Sequence, residues 1–193
     1  MPDWPLSLHR AHVRDTPKII GLIDEAARWL HDYKNTDQWA KPWPSRAGRD
    51  SRIRASLREG KTWICWDAST PVATLTADPD HDPYWAQGPR AEPAVYVHRL
   101  VVARSYAGHR LGASLLDWAG RTGHLVHGAR WLRVSAWTTN LALHAYYLGE
   151  GFELTGFHAD DGYPSAARFQ KATSHIPVSW PPLFTAPDRF FDS

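Results

Sequence analysis

Residues 95–116 read VYVHRLVVARSYAGHRLGASLL, and the way this stretch changes character decides the fold. Positions 96–102 form a short apolar run with the length and β-branched content of a buried strand. The run breaks into a basic, small-residue loop over 104–110. That loop feeds directly into an amphipathic helix carrying Leu111, Leu115, Leu116 and Ala119 on one face. A strand that turns through glycine into a helix start is an anion cradle. The first helical turn leaves backbone N–H groups unpaired, and the aligned peptide dipoles favour negative charge there. Gly108 and Gly112 let a phosphate approach the backbone closely, and His109 and Arg110 can add positive charge. The segment reads as a pyrophosphate site.

The loop lacks the Gly-Lys-Ser/Thr that ends a P-loop. It also offers two glycines in mid-chain, where a dinucleotide fingerprint needs three near the start of a βαβ unit. It resembles motif A of the GNAT acyltransferase superfamily. In that family a strand ending in Leu-x-Val precedes an Arg/Gln-Gly-x-Gly-x-Gly/Ala loop that holds the coenzyme A pyrophosphate. Leu100, Val101 and Val102 match the strand end, and Gly108, Leu111, Gly112 and Ala113 match the loop. Two positions depart from the pattern: Ala107 stands where Arg or Gln is usual, and Arg110 where the middle Gly is usual.

A second segment, 140–152, reads NLALHAYYLGEGF. Asn140 suits a helix N-cap, Gly151 a left-handed C-cap, and Phe152 the start of the next strand. The segment resembles the family's Asn-x-x-Ala-x-x-x-Tyr-x-x-x-Gly-Phe signature, with Leu143 in place of Ala and with Asn140, Tyr147, Gly151 and Phe152 in register. It follows a strand at 131–137, as the family order requires. The resemblance spans about 8–171 in element order and implies a single α/β domain over 1–171. Its mixed, mostly antiparallel central sheet would have splayed central strands flanked by helices. A tail over 172–193 carries four prolines and no period, and reads as wrapping the surface or partly disordered.

Composition agrees. A chain of 193 residues suits one domain with a real core, and a net charge of +2 provides no global field for nucleic acid. No apolar run reaches membrane-spanning length, and MPDWPLSLHR lacks a signal peptide's apolar stretch, so a cytoplasmic setting is expected. The single cysteine, Cys65 in TWICW, reads as a buried thiol. Eleven tryptophans hint at an aromatic cavity or interface.

A first strand is expected at 7–13, then a helix capped by Thr16 with Pro17 at its first position and a stripe of Ile19, Ile20, Ile23, Ala27 and Leu30. A polar, aromatic loop follows over 31–45. Next come a short helix with Ile53 and Leu57 stopped by Gly60, a hairpin of 62–67 and 71–77, and a long loop over 78–93. Strands at 152–157 and 166–171 close the order.

The resemblance implies acyl transfer from a thioester to an amine, with acetyl-coenzyme A as donor and a small-molecule amine as acceptor. Backbone along Leu100, Val101 and Val102 would hold the donor arm, and the loop from Ala107 through His109 and Arg110 to Ala113 its pyrophosphate, with Asn140 and Tyr147 also on the donor. Tyr147 faces inward and is placed to protonate the thiolate. A phenol of pKa about 10 gives a proton to a thiolate of about 8.5 with little driving force, so position matters more than acidity. A core aromatic is the other reading of Tyr147, and the matched flanking motif favours the acid.

His98 is the candidate base. It lies two residues before Leu100, where strand alternation puts both on one face, and imidazole titrates near neutrality. A half-buried structural histidine is the other reading. Tyr33, Trp39 and Trp43 fall where the family builds its acceptor pocket, or else pack a loop on the core. Asp78 with Asp80, His81 and Asp82 could form a cation-recognising wall, or a solvated turn. His158, Asp160 and Asp161 have ligand types without metal-ligand spacing, so no metal is expected. No G-x-S-x-G elbow surrounds Ser114. A carrier-bound or aminoacyl donor, suggested by Ala107 and Arg110, and a non-catalytic ligand- or protein-binding module are the alternatives. A carrier protein and a homodimer stay open as partners.

Overall fold

Strands take the β-branched and aromatic runs, and helices take the 3.6-residue stripes. The order is β1 (Leu6–Arg10), α1 (Thr16–Tyr33), α2 (Arg46–Arg58), β2 (Thr62–Asp67), β3 (Thr70–Asp78) and β4 (Ala94–Val102). It continues with α3 (Leu111–His127), β5 (Trp131–Ala136), α4 (Leu141–Gly149), β6 (Glu153–Phe157), β7 (Ala167–Ala172) and β8 (Phe184–Thr185). The computed structural model describes residues 5–80, 82, 85, 92–158, 163–176 and 183–185. His81, Asp160 and Asp161, from the two acid–histidine clusters, lie outside the described residues.

Among the described residues the strands form one eight-stranded sheet in the order β6-β7-β5-β4-β3-β2-β1-β8. Pairing is antiparallel except at β4–β5 and β1–β8. This is the mixed, mostly antiparallel sheet that the resemblance implied.

Each face carries its own apolar layer. Leu111, Leu115, Leu116 and Ala119 of α3 and Tyr147 of α4 pack with Val95, Val97, Leu132 and Phe169 on one side. Ile19, Leu22 and Ile23 of α1 and Ile53 and Leu57 of α2 pack with Ile64 and Val101 on the other. Glycine lets α3 sit close to the sheet. A Cβ at Gly123 would lie 2.8 Å from Val95 Cγ1, and one at Gly120 would lie 2.2 Å from Ile176 Cδ1. Filling Gly123 would force the helix off β4, whereas filling Gly120 would displace the Ile176 side chain packed beneath it.

Several boundaries shift for local reasons. The first strand ends at Arg10 rather than 13. The chain then bends through a 3₁₀ turn, Val13–Asp15, where the Asp15 carboxylate accepts from His12 N at 3.0 Å and from Lys18 Nζ at 2.9 Å. Asp15 thereby becomes the residue before α1. Thr16 is its first helical residue, donating its hydroxyl to Val13 O at 2.6 Å, with Pro17 behind it. The helix runs on to Tyr33, into the expected loop. The motif strand starts two residues earlier, at Ala94. The described part of the tail packs on the domain. Ile176 and Phe184 are buried in the α3-side core, and β8 adds to the sheet edge with Leu6 paired to Phe184.

Candidate active site

β4 and β5 run together from Ala94↔Trp131 to Val97↔Val134, and there their pairing stops. β5 continues with β7 as far as Ala136↔Ala167, while β4 continues with β3 as far as Ala73↔Val102. The two central strands part, leaving the β5-facing edge of the β4 backbone over 98–102 without a strand partner. That edge lines a cleft of about 1020 Å³.

At the parting β4 carries a bulge. Thr76 pairs with His98 and Thr74 with Val101, so Arg99 and Leu100 together oppose Leu75. Arg99 takes a left-handed φ of 51°, a costly conformation for a residue with a side chain. The bulge corrects one expectation, because His98 and Leu100 do not share a face. Before it, Val95 and Val97 point to the α3-side core; after it, Leu100 and Val102 do, and Val101 points to the α1–α2 side. The extra residue inverts the alternation. Arg99 reaches the α2 side, where its Nη2 donates to Ser56 Oγ at 2.9 Å and Thr76 Oγ1 at 3.0 Å.

The cradle forms at the end of β4. A 3₁₀ turn, Arg104–Tyr106, leads through Gly108 (φ 83°) to Arg110, the residue that caps α3, with φ 60° and ψ 13°. Arg110 takes a left-handed backbone, the conformation that glycine adopts most readily, at the position where the family pattern has its middle Gly. Its guanidinium bonds Glu150 Oε2 at 3.0 Å and is 69% exposed. A Cβ at Gly108 would meet nothing within 4 Å. One at Gly112 would meet Tyr146 Oη at 3.3 Å and Val102 Cγ2 at 3.7 Å. The helix start is thus open to an anion. Ala107, Gly108, Arg110, Leu111, Gly112 and Ala113 all line the cleft, and His109 does not.

α4 closes the same cleft. Asn140 caps it by accepting from Leu143 N at 3.0 Å, and its Nδ2 donates to the buried Gln38 Oε1 at 2.6 Å. The Asn140 carboxamide therefore clamps the α1–α2 loop to the head of α4. Beside it Asp37 accepts from Trp137 Nε1 at 2.8 Å and from the Thr139 hydroxyl, which holds the carboxyl below its usual range. Tyr147 packs its ring on Phe152 and Phe169, with centroids 5.4 and 5.5 Å away. Burial raises its pKa and keeps the phenol protonated. Tyr146 turns its hydroxyl toward Gly112, and burial first, then Glu150, pushes it up to about 12.

The acceptor side is less as expected. Trp39 and Trp43 line the cleft. Tyr33 does not; it is 72% exposed and stacks on Trp29. Asp78 is also absent from the lining. Lys61 occupies it at 2.9 Å while also binding Glu59 at 3.0 Å and Asp80 at 2.6 Å, so the anticipated cation wall already holds a cation of its own. His98 lies 3.7 Å from Asp82, and its ring keeps 27% of its surface open. Surrounding protein and the Arg99 guanidinium depress its pKa to about 4, well below the near-neutral titration expected for imidazole. Cys65 is fully buried, which pushes its thiol up to about 12. Among the described residues no three His, Cys, Asp or Glu side chains converge as metal ligands, and no helix is long and apolar enough to cross a membrane.

Sequence reasoning missed Gln38, Arg52, Arg99 and Tyr146. Only Tyr146 had a local signal, since adjacent aromatics on a helix cannot both face inward.

A free β4 edge running into an open helix start, with a tyrosine-bearing helix across the gap, can hold an extended phosphorylated thioester beside an acceptor cavity. Comparison with known proteins agrees with that architecture. Residues 23–152 match the model of the acetyltransferase (GNAT) family. The chain is 30% identical over 152 residues to the uncharacterized N-acetyltransferase YesJ of Bacillus subtilis, covering 77% of this chain and 82% of that one. Among solved structures, a GNAT-family acetyltransferase from Listeria monocytogenes superposes with a TM-score of 0.68 at 20% identity, over 86% of this chain and 94% of that one. PaiA N-acetyltransferase from Thermoplasma acidophilum, crystallised with coenzyme A, gives 0.64 at 13% identity over 86% and 98%. With its diverging β4–β5 pair and its matched central segment, the chain belongs to the GNAT family of acetyltransferases.

Proposed function

We propose that this protein transfers an acyl group, acetyl in the first instance, from acyl-coenzyme A to the amine of a small molecule by direct attack in a ternary complex. The carrying observation is the convergence of the unpaired 98–102 edge, the Gly108–Gly112 helix start and Tyr147 on one cleft. The coenzyme A complex of the PaiA relative supports the same donor. Unpaired N–H groups of the α3 first turn would hold the pyrophosphate, and the Leu100–Val102 backbone would align the thioester arm.

In the transfer the amine nitrogen forms a bond to the thioester carbonyl carbon as the C–S bond breaks. Tyr147 Oη gives its proton to the departing sulfur, and the nitrogen's surplus proton goes to His98 or through it to water. A phenol with a raised pKa stays loaded but is a weaker acid, so its position beside the sulfur must supply the rate. A ring held neutral down to about pH 4 accepts a proton only weakly, which favours a relay to water. Arg110 holds a left-handed turn, which answers the missing Gly; the missing side-chain donor at Ala107 still stands as the motive for a carrier-bound donor.

The test is calorimetry with coenzyme A and mass-spectrometric screening of an amine library with acetyl-coenzyme A. Tight coenzyme A binding with N-acetylated product is expected. Binding without any turnover would leave a non-catalytic binding module in its place.

A further inference from the structure

The acceptor end of the cleft is cationic in an unusual way. Two carboxylates line the cleft among the described residues, Asp24 and Glu150. Arg49 neutralises the first at 2.8 Å, and Arg110 the second at 3.0 Å. Arg28, Lys34, Arg46, Arg52, Arg99 and Arg104 line the same cleft and pair with no carboxylate among the described residues. Lys34 and Arg104 lie over the Trp29 ring, and Arg99 and Arg52 are the two of these that act on His98. Arg99 spends both Nη2 protons on the neutral hydroxyls of Ser56 and Thr76. Its Nη1 and Nε protons have no protein acceptor there. Arg52 donates to the Trp43 carbonyl oxygen and lies over the Trp43 ring, 4.5 Å from its centroid.

A largely buried guanidinium without a counter-ion is expensive. Here the left-handed bulge at Arg99 fixes the chain so that this side chain points to the α2 side, beside His98 and away from the α3 cradle. The donor phosphates at the head of α3 are therefore not its partner. Among the described residues a polycationic acceptor would find no unneutralised carboxylate in the cleft, and it would meet Arg99 and Arg52 beside His98.

We infer that the acceptor is an amine that also carries an anionic oxygen group, a carboxylate or a phosphate, held by Arg99 and Arg52. The inference rests on the acyltransferase reading for the amine, and on the unpaired arginines for the anion. Guanidinium binds such groups with directed, charge-assisted hydrogen bonds. The aromatic wall of Trp39 and Trp43 would then cover the carbon skeleton between anion and amine.

The test uses the full chain loaded with coenzyme A and matched probes: the common amino acids against their amides, phosphoethanolamine against ethanolamine, and spermidine. Binding is read by calorimetry, and acetylation by mass spectrometry with acetyl-coenzyme A. At least one anionic amine should bind and be acetylated with kcat/KM tenfold or more above its neutral partner, because one charge-assisted hydrogen bond has that effect. Whether amino acids or phosphoethanolamine show the preference decides between carboxylate and phosphate. Arg52→Gln, at an exposed position of α2, should cut the preference severalfold. Arg99→Gln should nearly erase it, and coenzyme A affinity should hold in both. Neutral amides or spermidine performing as well as the anions, no probe binding at all, or a preference that survives both substitutions would overturn the anion site. Acetylation without charge preference leaves the transferase reading standing alone. Arginine-dependent binding without acetylation leaves the anion site standing and removes acetyl transfer.

Discussion

The two ends of the cleft are made of different material. At the proposed donor end the chemistry on offer lies in backbone, with N–H and C=O groups along the β4 edge and at the first turn of α3, all within one contiguous stretch. At the acceptor end it lies in side chains from separate segments: Trp39 and Trp43 between α1 and α2, Arg52 on α2, and His98 and Arg99 on β4. Backbone groups do not depend on which side chain a position carries, and Arg110 holds a left-handed turn, of the kind that favours glycine, with a side chain in place. A side-chain wall changes whenever one of its residues does. One fold can therefore keep its donor while altering its acceptor.

The strongest attack on this contrast is Gly112→Asp. It sets a side chain and a negative charge at the open helix start, and coenzyme A binding by calorimetry should vanish while amine binding stays. Retained wild-type affinity would remove the cradle assignment.

Next in size is Tyr147→Phe, which keeps the ring packing against Phe152 and Phe169. Its kcat should fall about 10²- to 10⁴-fold with donor affinity unchanged. Tyr146→Phe is the control that sharpens the assignment, since Tyr146 turns its hydroxyl toward Gly112. If Tyr146→Phe carries the loss and Tyr147→Phe none, the acid is the neighbour.

Asn140→Ala cuts the clamp that joins the two ends. Loss of the cap alone costs about 1 kcal/mol, and the buried Gln38 amide loses its partner as well. Thermal unfolding should register about 2 kcal/mol in total, and KM for both substrates should rise. A variant that alters only one KM would show that the ends are independent.

The His98 effect is smaller and depends on pH. Its folded pKa, about 4, lies below the ordinary 6.5 of imidazole. Protonation therefore favours the unfolded chain. The associated stability is complete above about pH 6.5 and fades as the pH falls toward 4. His98→Ala should flatten that loss in denaturant titrations between pH 4 and 6.5. If His98 receives the amine proton, the acidic limb of kcat/KM that it controls should lie near pH 4 and disappear in the variant. An unchanged limb would assign the proton to another group.

Arg110→Ala should have the least effect. The side chain is exposed and tied to Glu150, so coenzyme A affinity should drop only a few-fold, and less in high salt. A loss that salt does not reduce would mean that Arg110 shapes the turn and does not attract the phosphates.

The sequence by itself determined the order of helices and strands, the strand–loop–helix cradle and the capped helix at Asn140. Each of these is local: the turn, the cap and the apolar period lie within a few residues of one another. It also placed His98, Trp39 and Trp43 near the site. Tertiary structure alone decided the rest. The bulge at Arg99 exists only in relation to β3, since a bulge is a mismatch between two strands, and it turned His98 from the face that alternation assigned to it. The divergence of β4 from β5, the Gln38–Asn140 clamp and the approach of Arg52 to Arg99 join segments between about 40 and 100 residues apart. The capture of Asp78 by Lys61 depends on which strands pair. None of these has a periodicity to read along the chain, because each is set by packing across the sheet.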